Sequence, residues 1–314
     1  MKKPAKKTYR IRNWKEYNTG LVKRGSLTIW ITEDATEAWY NQELTGGRGA
    51  SDIYSDVAIT CVLMLKEVYH QALRQAQGLT ASILELMGLE LDVPNYTTLS
   101  RRRKRLTVSL GATRRDEAID MVVDSTGVKI YGEGEWKVRQ HGASKRRTWR
   151  KVHLGIDAAT HEIVAAVLTS NDVGDGEVLD DLLDQPDDDI ASVTADGAYD
   201  TRGCYDAIND TGARAIIPPR RGAKIWQHGN SKAERHARDE NLRCVRKKGR
   251  AGWKRDSGYH KRSLAETGMF RFKTIFGDKL GARLFESQCA EVFIKCAVLN
   301  TMARLGLPDS YAVG

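Results

Sequence analysis

Three carboxylates in this 314-residue chain stand where phosphodiester chemistry could be done. Asp124 follows the apolar run Met121-Val122-Val123, and Asp196 follows Val193-Thr194-Ala195. Glu266 sits in YHKRSLAETGMFRFK (259–273), among groups that bind phosphate. Carboxylate oxygens suit a hard cation such as Mg²⁺, which keeps places for water and substrate phosphate. Two such ions about 3.5–4 Å apart can activate an attacking oxygen and stabilise a leaving one. Wound as a helix at 100° per residue, Tyr259, Arg262, Glu266 and Lys273 share a stripe about 60° wide. Leu264, Ala265, Met269, Phe272, Ile275 and Phe276 fall roughly opposite, as on a core-packed helix. Plainer readings stand beside this one. Arg262 and Glu266 also suit an i, i+4 ion pair on a surface helix. An Asp before Ser-Thr-Gly or Gly-Ala also suits a turn.

Positioning these groups requires a particular order of elements. Apolar segments at 118–125, 152–159 and 162–170 read as strands, the last two joined at Thr160-His161. A helix at 177–185, a strand at 191–197, a helix at 201–212 and a strand at 213–219, stopped by two prolines, follow. This alternation predicts an α/β class in the order of a ribonuclease H-like fold. There the first and fourth strands lie side by side, which would bring Asp124 and Asp196 within a few Å, with Glu266 added from a late helix.

The expected division is an N-terminal, mainly helical DNA-binding domain over 1–115 and a catalytic domain over 116–314, with TRRDE (113–117) as a linker. Residues 1–10 read as a basic arm, with Trp14, Trp30, Trp39 and Tyr40 anchoring a small packed unit. Ile53, Val57, Cys61, Met64, Leu65 and Val68 recur as on an amphipathic helix over 52–69. A shorter helix at 80–87 and YTTLSRRRKRL follow. The basic run Arg101, Arg102, Arg103, Lys104 and Arg105 suits either a helix-turn-helix reader of DNA or a solvated domain edge.

Charge is unevenly spread. The net +9 divides into +8 over 1–115, −11 over 116–200 and +12 over 201–314. Basic surface of this density points to a polyanion, most often nucleic acid, and the acidic centre to cation binding. No run of eighteen apolar residues suggests a membrane span, and the basic start MKKPAKKTYR lacks a signal peptide's apolar segment. Five cysteines without CxxC pairing read as reduced thiols, and no zinc site is expected. GGRGAS (46–51) lacks the ending of a phosphate loop, GEGEW (132–136) reads as a turn, and His153 as a satisfied sheet histidine. The acidic stretch 177–189 reads as a solvated face.

Tyr259-x2-Arg262-x3-Glu266-x6-Lys273 resembles the Y-R-E-K signature of bacterial insertion-sequence DDE transposases. VVDSTG (122–127) and TADGAYD (194–200) resemble the surroundings of that group's two aspartates. YRIRNWKEYNTGLVKRGSLTIW (9–30) resembles the opening of the insertion-sequence-five family. The resemblance implies that Asp124, Asp196 and Glu266 bind two Mg²⁺ ions, with Mn²⁺ as a substitute. It also implies that Tyr259, Arg262 and Lys273 contact phosphates of double-stranded transposon-end DNA. Sixty-nine residues separate Asp196 from Glu266. The excess, about 218–258, matches the place of the family's β-rich insertion, expected to hold DNA through Arg246, Lys247 and Lys248. Trp226 and Trp253 in this stretch suit either base stacking or a small core. The implied protein is a cytoplasmic, nucleoid-associated bacterial transposase acting on transposon ends and target DNA as a dimer or larger assembly. A catalytically silent DNA-binding regulator and a general nuclease of the same fold are the alternatives.

Overall fold

The computed structural model describes residues 8–42, 52–130, 149–227 and 235–313. GGRGAS, GEGEW and most of the basic arm lie outside them. Six described strands form one mixed sheet: β2 (Ile119–Ile130), β3 (Trp149–Asp157), β4 (Ile163–Ser170), β5 (Ile190–Thr194), β6 (Arg214–Ile216) and β7 (Lys279–Leu280). The order is β4-β3-β2-β5-β6, with β7 beside the end of β2. β3 pairs antiparallel with β2 and β4, while β2, β5 and β6 run parallel. Met121, Val122 and Val123 are wholly buried, as a central strand covered on both faces requires.

β2 runs further than its apolar residues suggest. Its antiparallel register continues through Asp124↔Leu154 to Lys129↔Trp149. Asp124 is therefore a mid-strand residue and not the strand's end, so its turn-forming role falls away. Asp196, two residues past β5, does form a turn. Its Oδ1 accepts the Ala198 N–H at 2.7 Å and starts the short 3₁₀ segment Gly197–Tyr199.

The chain falls into two compact units, 1–102 with 298–314, and 103–297. This differs from a boundary at 115. β1 (Thr8–Ile11) pairs with β8 (Ser310–Val313), which brings the last residues into the first unit. The segment read as a linker is fastened within the second: Thr113 N–H donates to Glu162, Arg115 N–H donates to Asp188, and the Arg115 guanidinium pairs with Asp157 at 3.2 Å.

In the first unit, helices Trp14–Lys23, Glu33–Glu37, Asp56–Val68, Leu73–Leu86 and Tyr96–Arg102 surround buried Trp30 and Trp39. Trp14, expected as an anchor, is 57% exposed. The expected 80–87 helix begins about two turns earlier, at Leu73, and runs through Gly78. Ser55 caps the third helix by accepting the Ala58 N–H at 3.1 Å. All five cysteines are unpaired thiols. Among the described residues no helix is long and apolar enough to cross a membrane.

His153, on β3, is wholly buried, with Nε2 2.9 Å from Thr169 Oγ1 and Nδ1 3.9 Å from Asp175. Burial pulls its pKa from 6.5 down to about 4, against the opposing charge of Asp175. The folded state thus holds this imidazole neutral, while the unfolded chain takes up a proton below pH 6.5. Stability is lost as pH falls from 6.5 towards 4, by about 3 kcal/mol in full at 1.36 kcal/mol per pH unit. His153→Gln should flatten that limb in urea unfolding measured from pH 7 to 4. Parallel curves for the two proteins would rule the assignment out.

Candidate active site

The signature stretch is built from two pieces, not from one continuous helix. The helical segment Ala237–Ser257, broken within by Gly249 at φ 73° and ψ 164°, ends at Gly258, whose φ of 76° is left-handed and suits glycine. Tyr259–Arg262 is then a 3₁₀ turn, and the α-helix proper is Ser263–Phe276. Its buried face carries Ala265, Met269, Phe272 and Phe276. Gly268 lets it settle close to β3, since a Cβ there would meet Ile156 Cδ1 at 2.3 Å.

That docking sets Arg262 between two carboxylates. Its Nη2 lies 3.1 Å from Asp124 Oδ2, and its Nη1 donates to Glu266 one turn on. Asp124 Oδ1 accepts the Ser125 N–H at 2.9 Å. Burial raises the pKa of Asp124, with the charges of Asp196 and Glu266 acting in the same direction against Ser125 N–H and Arg262. Burial also raises that of Tyr259, opposed by Arg262 and reinforced by the same three carboxylates. For Arg262, burial works against the charge, but Asp124, Tyr259 and Glu266 outweigh it and raise the pKa. Five of the six residues singled out for the site are thus one electrostatic cluster. Lys273 stands apart: seven residues along the helix from Glu266, it is displaced by about 10 Å.

As positioned, no three His, Cys, Asp or Glu side chains among the described residues form a metal-binding group. The guanidinium lies between the two acids. The donor chemistry nonetheless fits a hard divalent cation, since all three carboxylates offer oxygen ligands and their charges converge on one place.

A family model described as "Transposase DDE domain" matches residues 117–301, more than half of the chain. The chain belongs to the DDE transposase family. A second model with the same description matches residues 22–133. Among solved structures, the chain is similar to one titled "Drosophila P element transposase strand transfer complex". The identity is 11% and the TM-score 0.31, with 84% of this chain and 69% of that chain covered.

In this DDE transposase several residues beside the candidate site carried no clear sequence signal. Lys261 Nζ bonds Asp120 Oδ2 at 2.6 Å, and the Ser192 hydroxyl donates to Asp120 Oδ1. This ties the 3₁₀ turn to β2 and β5. Asp120 shares its strand face with Asp124 four residues on, a signal that strand periodicity does carry. Asp175 accepts from Ser125 Oγ at 3.0 Å and from Lys151 Nζ at 3.1 Å. Nothing distinguished it within its acidic loop. Tyr199 is buried, and its hydroxyl makes no hydrogen bond among the described residues. Burial raises its pKa, and so do the charges of Asp175, Asp124 and Asp196.

The expected DNA-contacting cations divide. Arg102 is a folding residue: it is buried, pairs with Asp56 at 2.5 Å and donates to Tyr54 O at 2.6 Å. That corrects its place in the basic run, because a guanidinium spent inside the unit has no face for phosphate. Arg101, Lys104 and Arg105 are exposed and Arg103 half-buried. Arg246, Lys247 and Lys248 are exposed on helix Ala237–Ser257, where Lys248 pairs with Asp256 at 2.5 Å and Arg246 donates to Ala223 O at 3.4 Å.

The described part of 218–258 has that helix as its regular structure, and no strand. This corrects the β-rich expectation. Helix forms here because the run 237–257 carries five Arg and three Lys, favourable helix residues, and it breaks at Gly249. The tryptophans of the stretch are packed. Trp253 is 2% exposed and donates to Asn241 Oδ1 at 3.0 Å, while Trp226 lies under the Arg238 guanidinium at 3.9 Å.

Proposed function

We propose that residues 103–297 are a ribonuclease H-like catalytic domain that cuts DNA at the terminal inverted repeats of its own element. It then joins the freed 3′ ends to target DNA. Arg262 touching Asp124 and Glu266 at once is the observation that carries this reading. It makes a carboxylate from a late helix the neighbour of one on the central strand, with Asp196 acting on both Asp124 and Tyr259. The strand order, three antiparallel strands and then two parallel ones, supports the same fold.

Two bound Mg²⁺ ions, with Mn²⁺ as a substitute, would supply an activated water and charge stabilisation at the leaving oxygen. Asp124, Asp196 and Glu266 would hold them. Arg262 and Lys273 would neutralise phosphate charge, and the Tyr259 hydroxyl would donate to a phosphate oxygen. Hydrolysis breaks the P–O3′ bond and leaves a 3′ hydroxyl. That hydroxyl attacks a target phosphorus, forming a new P–O bond and releasing the target's own 3′ oxygen. The resemblance of residues 9–30 to the opening of insertion-sequence-five transposases, beside the Y-R-E-K spacing, supports a bacterial transposase of that family, which would work in the nucleoid as a dimer or larger assembly on two DNA ends.

The test uses a labelled duplex carrying the inverted repeat that flanks the gene, a plasmid target and Mg²⁺. Label covalently joined to the plasmid is the expected result. Cutting without joining would mean a general nuclease, and salt-sensitive binding with neither a silent regulator. Either outcome overturns the proposal.

A further inference from the structure

The guanidinium of Arg262 stands where a cation would have to sit. It holds Asp124 Oδ2 at 3.1 Å and bonds Glu266 with its other terminal nitrogen. Asp124 Oδ1 is already taken by the Ser125 N–H. Both oxygens of the central carboxylate are therefore engaged, and a metal ion needing Oδ2 must displace the arginine. The arginine is not fully satisfied there. Its Nε is buried and makes no hydrogen bond among the described residues, a donor whose desolvation is uncompensated. A cavity of about 420 Å³ opens beside it, lined by Lys254, Arg255, Tyr259, His260 and Glu266. Cationic groups at its wall would draw a phosphate to the place where Arg262 can reach it, and a guanidinium binds phosphate with paired donors.

We propose that Arg262 closes the acidic pocket to divalent cations until a DNA phosphate draws it away, so that DNA and metal bind cooperatively. The proposal rests on the reading of Asp124, Asp196 and Glu266 as metal ligands. While Arg262 is in place, it balances the clustered negative charge and a cation gains little by entering. Once Arg262 turns to phosphate, the carboxylates are left facing one another, and a divalent ion relieves their repulsion. Linkage is reciprocal: whatever DNA does for metal affinity, metal does for DNA affinity. Nuclease activity would thereby be confined to protein already on DNA.

The decisive measurement is Mn²⁺ binding in the absence of DNA, followed by the electron paramagnetic resonance of the free ion. Arg262→Ala and Arg262→Gln are each expected to bind Mn²⁺ roughly ten-fold more tightly than the wild type. Asp124→Asn in either background should remove that gain. Circular dichroism checks folding, and the Gln variant decides if the Ala variant does not fold. Equal Mn²⁺ affinity in wild type, Ala and Gln proteins, or no binding by any of them, overturns the latch. If Asp124→Asn weakens Mn²⁺ binding even so, the metal-ligand reading survives without it. If Asp124→Asn changes nothing in any background, that reading itself fails. Fluorescence anisotropy of a labelled duplex supplies the reciprocal arm. Saturating Ca²⁺ should tighten wild-type binding by a similar factor and barely affect Arg262→Ala, and an equal effect on both would remove DNA from the proposal.

Discussion

Glu266→Gln should cut DNA roughly 10³-fold more slowly or worse, the scale lost with a group that stabilises transition-state charge, while remaining folded and DNA-bound. The two halves of that expectation have separate causes. Glu266 is 59% exposed and its ion pair with Arg262 lies at the protein surface. Exposed pairs of this kind contribute about 0–1 kcal/mol. Glutamine keeps the length and volume of the side chain, and Arg262 keeps its second partner, Asp124. Fold stability should therefore hardly move. The lost negative charge, by contrast, is one of three that converge near Asp124 and Tyr259. An amide oxygen is a much poorer ligand for a divalent cation than a carboxylate. Cleavage of labelled end DNA in Mg²⁺, alongside gel-shift binding and thermal unfolding, separates the two effects. A cutting rate within about ten-fold of wild type, which is under 1.4 kcal/mol of barrier, would remove Glu266 from the chemistry.

What could be read from residue order alone followed the range of the interaction involved. Helical periodicity joins positions three or four apart, so the Arg262–Glu266 side of the site was visible at 100° per residue. The break at Gly258 put Tyr259–Arg262 into a 3₁₀ turn, yet Arg262 still reaches Glu266 four residues on. Asp196 was placed correctly because β5 ends in a short apolar run just before it. Asp124 was misplaced because Ser125, Thr126 and Gly127 look like a turn. Pairing with His153, Val152 and Lys151 keeps them extended, and that partner strand begins about twenty residues later. Arg102 shows the same limit more sharply. Its burial depends on Asp56 and Tyr54, more than forty positions upstream, so a run of five cations in sequence gave no hint that one points inward. Trp226 and Trp253 lie among cations in both sequence and space. The structure turns that composition into packing, with an arginine stacked on one ring and an asparagine bonded to the other.

Arg238→Ala is expected to cost about 3–5 kcal/mol of stability, the penalty for leaving a buried charge without its partner. Arg238 and Asp200 are both buried, with Nε 2.8 Å from Oδ1. The same guanidinium donates to Lys224 O at 2.6 Å and lies 3.9 Å above the Trp226 ring. Its removal leaves Asp200 with the Arg220 N–H at 2.8 Å, takes the donor from Lys224 O and leaves the indole with the more distant Arg202 guanidinium at 5.2 Å. Asp239, next along, holds the backbone N–H groups of Trp226 and Gln227, so residues 220–227 are fastened to the start of helix Ala237–Ser257 by one ionic and aromatic knot. Gly249 breaks that segment, Trp253 bonds back across the break to Asn241, and the second half leads through Gly258 into the turn bearing Tyr259 and Arg262. Loosening the segment's start should therefore reach the site through geometry, while no charge at the site is altered. Urea unfolding measures the first effect. A double variant, Asp200→Asn with Arg238→Met, distinguishes the lone buried charge from lost packing, since replacing both ions with neutral groups of similar size is often close to neutral. Recovery of most of the stability in the double variant identifies the stranded carboxylate as the cause. A loss below about 1 kcal/mol in Arg238→Ala, within the range of ordinary surface pairs, would show that the knot carries no such strain.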